Sequence, residues 1–91
     1  MSLNLEEIRT QIDAIDQDLV KLIEARMQLV TQVATYKKET GKAVLDTKRE
    51  EAVLAKVASR VQNPDYTDTI VNTFSDIMAN SRAYQKKTMG L

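Results

Sequence analysis

Arg26 stands where an aliphatic heptad calls for a leucine, and that is the first sign of chemistry in this chain. The series reads Leu5, Ile8, Ile12, Ile15, Leu19 and Leu22, then resumes after the break as Leu29, Val33 and Tyr36. A guanidinium on such a seam is rarely buried alone, because its desolvation is costly. Two readings are open: Arg26 binds an anionic ligand, or it forms an ion pair with Glu50 or Asp46. Lys37 follows 11 residues later, about 20° of helical phase and about 16 Å of rise away. Two long side chains at that spacing can grip a small ligand between them. Arg9 precedes Arg26 by 17 residues, about 25 Å along a helix axis, too far for both to touch one small molecule. A second, antiparallel copy would bring its own Arg9 level with Arg26. Taken singly, Arg9 and Lys37 also read as solvated charges beside a seam.

Two further stripes turn polar at a definite point. Val53, Val57 and Val61, flanked by Leu54, run backwards into Arg49, Glu50 and Asp46. Tyr66, Ile70, Phe74, Ile77 and Met78 run forwards into Ser81 and Gln85, four residues apart on one helix face. Alone, Ser81 and Gln85 read as a frayed helix end. Met27 and Met78 read as packing, and Lys38, Lys86 and Lys87 as solvated charge. Arginine forks suit carboxylates and phosphates. The chain has no histidine and no cysteine, which removes the imidazole base, the thiolate nucleophile and the usual zinc ligands. There is no glycine-rich phosphate loop either. What remains is a reaction driven by holding a compact dianion in one conformer and stabilising charge that develops at an oxygen. A pericyclic rearrangement satisfies that description, although residue types alone do not select it.

These residues need helices to position them. The 91 residues make one small domain, 1–91, with 13 basic and 13 acidic side chains. Zero net charge argues against nucleic acid or an anionic membrane as the main partner, so any positive potential must be local. No run approaches the roughly 18 apolar residues of a membrane span. The start, MSLNLEEIR, meets acidic residues at once, so no signal peptide is expected. A cytoplasmic location fits the absence of thiols. Gly41 and Asn63-Pro64 punctuate the chain into three segments, all helical. The first runs from about Leu5 to about Glu39. The second starts near Asp46-Thr47, either of which can cap it, with Glu50 in the capping-box place if Thr47 is the cap. The third follows Pro64, capped by Asp65. The second and third span roughly 16 and 24 residues, against a first helix about 50 Å long. Two short helices cannot cover such a rod, so an antiparallel homodimer is expected, with the short helices packed around the paired long ones. A parallel coiled-coil dimer would leave the short helices' stripes without a common core.

The ordered set Ile8-Arg9, Asp13-x-x-Asp16, Leu19-Val20-x-Leu22-Ile23-x-x-Arg26, Lys37, Asp46-x-x-Arg49-Glu50 and Ser81-x-x-x-Gln85 resembles the AroQ-type, all-α chorismate mutases, from about Leu5 to Gln85. The resemblance implies an intertwined homodimer of three-helix chains that isomerises chorismate to prephenate in aromatic amino-acid biosynthesis, with no cofactor, metal or covalent intermediate. By position it implies that Arg9, from the partner chain, and Arg26 hold the substrate's carboxylates. Lys37 would bind a carboxylate and the ether oxygen, Gln85 would donate to the same oxygen, and Glu50 would accept from the ring hydroxyl with Asp46 nearby. Arg49 and Ser81 would complete the ring-side contacts. Lys37, Gln85, Arg26 and Glu50 are thus the expected catalytic set. Gln85 is a carboxamide where some relatives carry a carboxylic acid, and Leu45 is aliphatic where some carry a basic residue. A lyase on the same fold, which eliminates pyruvate from isochorismate, would share the cationic pocket; the Glu50 and Gln85 pair favours the mutase. From a different class, a non-catalytic dimerisation or regulatory module would use the polar breaks only to fix helix register.

Overall fold

The computed structural model describes residues 2–91, and every regular element among them is helical. Helix α1 spans Leu5–Thr40, α2 spans Thr47–Arg60, a 3-10 turn covers Pro64–Tyr66, and α3 spans Thr67–Thr88. The all-α, three-helix reading holds. Asn4 caps α1, its side chain accepting from the Glu6 and Glu7 N–H groups at 3.0 and 3.2 Å. Those two carboxylates also face the positive end of the helix dipole. At the other end Gly41 turns left-handed, φ 72°, and donates to the Lys37 carbonyl. Lys42 N–H bonds the same carbonyl at 3.0 Å, closing the helix as a Schellman-type end. The chain then loops to α2 with Lys37 fixed in the last turn of α1.

At the start of α2 one of the two open caps is realised, and at the start of α3 the expectation needs correction. The α2 cap is Asp46, which accepts from Arg49 N–H at 3.0 Å; no capping box forms from Thr47, and the Glu50 side chain leaves for α3. The third helix is not capped by Asp65. Asn63, held extended by the proline after it, reaches forward and accepts from Asp65 N–H at 3.0 Å. Pro64, with fixed φ and no N–H, suits the first position of that 3-10 turn. Helix α3 therefore starts at Thr67, with Tyr66 at its cap position making no side-chain bond. The two helices come out at 14 and 22 residues. Nor do Ser81 and Gln85 fray, since α3 continues through both to Thr88 and buries both.

Helix α3 is the shared wall. It packs on α2 and on α1, which share no close backbone approach of their own. Val30 and Ala34 of α1, Val44 of the connecting loop, Val57 of α2 and Met78 of α3 make the buried core. Val30 and Ala34 lie one position beyond the heptad members Leu29 and Val33, which stay exposed. The chain's own helices thus cover a neighbouring face of α1, and only along its C-terminal half. The result is 59 × 24 × 16 Å with a radius of gyration of 16.6 Å, against about 12 Å for a compact chain of this length.

Candidate active site

A cavity of about 260 Å³ opens between the C-terminal half of α1, the start of α2 and the end of α3. Leu29, Val30, Val33, Val44, Val53 and Met78 supply its apolar lining. Arg26, Lys37, Asp46, Arg49, Glu50, Ser81, Arg82 and Gln85 supply its polar groups. Seven of the eight residues expected from the sequence therefore share one cavity. Arg9 does not. It lies exposed near the other end of α1, 3.7 Å from the Glu6 carboxylate.

Several of these polar groups are held by a neighbouring element of the fold. Arg26 Nη1 donates to Ser81 Oγ at 3.0 Å, and that hydroxyl donates onward to the Ile77 carbonyl at 2.8 Å. Ser81, only 4 % exposed, thereby anchors one arm of a guanidinium that has further N–H donors to offer. Lys37 Nζ donates to the Val44 carbonyl at 2.6 Å, which leaves the ammonium two more protons. That bond also ties the loop before α2 to the end of α1. Asp46 is engaged as a helix cap, and Glu50 pairs with Arg82. Gln85 is 6 % exposed and its Oε1 is enclosed without a partner. Turning the carboxamide over exchanges its oxygen and nitrogen in nearly the same volume, so the site offers an acceptor or a donor there.

The charges do not cancel locally. Among the described residues Arg26, Lys37 and Arg49 have no carboxylate within 4.0 Å. Of the two readings of Arg26, the ion pair is thus not formed: its partner is a neutral hydroxyl, because Glu50 is drawn to Arg82 and Asp46 to the α2 backbone. Arg82 escaped the sequence reading. Its signal was slight: it lies four residues after Met78 and three before Gln85, on the face those two define.

Helices around an aliphatic lining, with cations lining the cavity free of carboxylate partners among the described residues and neither thiol nor imidazole in the chain, define a helical protein whose cavity suits a compact anion. The family model for chorismate mutase type II matches residues 8–86. The chorismate mutase of Methanocaldococcus jannaschii is 30% identical over 84 residues, covering 91% of this chain and 85% of that protein. The T-protein of Haemophilus influenzae is 36% identical over 50 residues, covering 55% of this chain and 13% of that protein. No solved structure matches. The chain belongs to the type II chorismate mutases, the family its motifs resemble, and is an isomerase of that kind. Among the described residues no helix is long and apolar enough to cross a membrane.

Proposed function

We propose that residues 1–91 act as a single cytoplasmic chorismate mutase domain, an intertwined antiparallel homodimer that converts chorismate to prephenate in the cavity between α1, α2 and α3. The observation that carries the reading is the set of cations without carboxylate partners, Arg26, Lys37 and Arg49, around an aliphatic lining. Chorismate is a dianion, and its carboxylates supply the missing counter-charge. Arg26 forks onto one of them, with Arg9 of the partner subunit on the other. Confining the enolpyruvyl arm over the ring removes part of the entropic barrier before any bond changes. As the ether C–O bond lengthens, its oxygen gains negative charge, which the Lys37 ammonium and the Gln85 amide N–H stabilise. Glu50 accepts from the ring hydroxyl, with Asp46, Arg49 and Ser81 framing the ring side. The bond broken and the bond formed lie within one molecule, so no cofactor or metal takes part.

Three features support the dimer. The heptad members Leu5, Ile12, Ile15, Leu19 and Leu22 all face solvent. A groove of about 710 Å³ between α2 and α3, with Val53, Val57, Val61, Ile70 and Phe74 in its lining, is filled by none of the described residues. That groove shares Arg26, Arg49 and Val53 with the cavity. An aliphatic helix laid into it would bring its own basic residues beside Arg26.

The test is direct. With chorismate, the diene absorbance should fall as prephenate appears; with isochorismate, pyruvate release should be absent. Pyruvate release without prephenate formation would assign the lyase. No turnover, together with no rise of Tm in prephenate, would assign the non-catalytic module.

A further inference from the structure

Arg82 has no task in the reading above, yet it makes a polar contact between α3 and α2 inside the cavity. Its Nη1 donates to Glu50 Oε1, with the two side chains 29% and 23% exposed. Both residues line the cavity. Among the described residues Glu50 receives no other side-chain hydrogen bond, so its Oε2 is free to accept. A glutamate on this wall without Arg82 would have Arg26, Lys37 and Arg49 as competing partners, all lining the same cavity. It would then neutralise the cations that a dianion needs.

We infer that Arg82 is a positioning residue that sets specificity: it grips one oxygen of Glu50, keeps that carboxylate off the anion-binding cations, and presents the other oxygen to the substrate's ring hydroxyl. The inference rests on the proposed function. Chorismate and isochorismate carry their hydroxyl on opposite neighbours of the ether-bearing ring carbon. A carboxylate fixed in one place separates them, and one free to swing does not. Arg82 also contributes to the charge balance. With it, four cations and two carboxylates of this chain line the cavity, so the lining stays net positive although Glu50 and Asp46 are present.

The test is steady-state kinetics of wild type, Arg82→Met, Arg82→Lys, Glu50→Gln and the Arg82→Met/Glu50→Gln double variant, with isochorismate as competitive inhibitor. Helicity and Tm are followed for each. Arg82→Met should lower kcat/KM for chorismate about tenfold, the size of a typical coupling between contacting residues. Its inhibition constant for isochorismate should change less, so discrimination narrows. Arg82→Lys should recover most of the loss. In the Glu50→Gln background Arg82→Met should change little, because the group it positions is gone. Equal kinetics in Arg82→Met and wild type would overturn the inference. So would a loss that is fully additive with Glu50→Gln, or a Tm collapse that lysine does not rescue. A wild-type chain that does not convert chorismate overturns the proposed function along with it, whereas the other failures leave that function standing.

Discussion

The two halves of α1 carry one continuous aliphatic heptad and end in opposite surroundings. From Arg26 onwards the helix lies against α3, with Val30 and Ala34 buried and Arg26 and Lys37 turned into a cavity. Before Arg26 the same periodicity runs through Leu5, Ile12, Ile15, Leu19 and Leu22, all of them exposed. Intrinsic helix propensity does not distinguish the halves, and both are well formed. Tertiary cover does. A bare aliphatic stripe of this length on a small domain is an interaction surface or a liability. The packed half, meanwhile, holds cations with no carboxylate partner among the described residues. Each half is incomplete in the way the other could remedy in a second copy: one offers Arg9 and an aliphatic helix, the other an aliphatic groove and a cationic pocket.

The largest expected effect comes from charging the bare stripe. Ile12→Glu combined with Leu19→Glu places two carboxylates where the proposed interface excludes water, and burying unpaired charge costs several kcal/mol per site. Sedimentation should change from twice the chain mass to the chain mass, with chorismate turnover lost. Equal charge on exposed positions of the same half, such as Gln11→Glu with Gln17→Glu, should leave both readings unchanged. If the stripe variant sediments and works like the wild type, the bare half is simply solvated and the comparison loses its meaning.

Next come the cations. Arg26→Ala and Lys37→Ala should each lower kcat/KM about a hundredfold or more, since removing one preorganised charge donor costs about 3 kcal/mol of barrier. Far-UV circular dichroism should stay unchanged. Arg9→Ala sharpens the comparison further. Arg9 lies about 25 Å from Arg26 within one chain, so a loss confined to its own surroundings would be small. A loss approaching that of Arg26→Ala requires Arg9 from another subunit in the pocket. Mixing inactive Arg9→Ala with inactive Lys37→Ala chains should then restore part of the activity, because one of the two sites in a mixed dimer regains a complete set.

What the sequence revealed, and what it hid, follows from where each signal resides. The three helices were legible because periodicity, Gly41 and Asn63-Pro64 are local features. The cluster of Arg26, Glu50, Ser81 and Gln85 was legible because each breaks an apolar stripe, and Lys37 because its 11-residue spacing from Arg26 places it on nearly the same helix face. The start of α3 was not, since it turned on whether Asn63 or Asp65 captured a backbone N–H first. Arg82 was hidden because its partner lies 32 residues away on another helix. The acceptor for Lys37 is a main-chain carbonyl, at Val44, and a carbonyl has no residue type to betray it. The heptad identified α1 as amphipathic but pointed to Leu29 and Val33, while its own α3 chose Val30 and Ala34 next door. A pattern records that a face is apolar, and two partners can compete to cover it.

The smallest expected effect tests how the packed half keeps its lysine in place. The Lys37 carbonyl accepts both Gly41 N–H and Lys42 N–H, and the Lys37 ammonium holds Val44. A Cβ on Gly41 would meet nothing within 4 Å, so substitution there acts through the backbone alone, at φ +72. Gly41→Ala should therefore cost about 1 kcal/mol, seen as a Tm lower by several degrees. Gly41→Asn should cost less, because asparagine tolerates the left-handed region. If the helix end positions Lys37, kcat/KM should fall a few-fold in the same order, alanine below asparagine below glycine. A Tm that falls while kcat/KM does not would mean that Val44 alone holds the lysine, and that the last turn of α1 matters to stability rather than to chemistry.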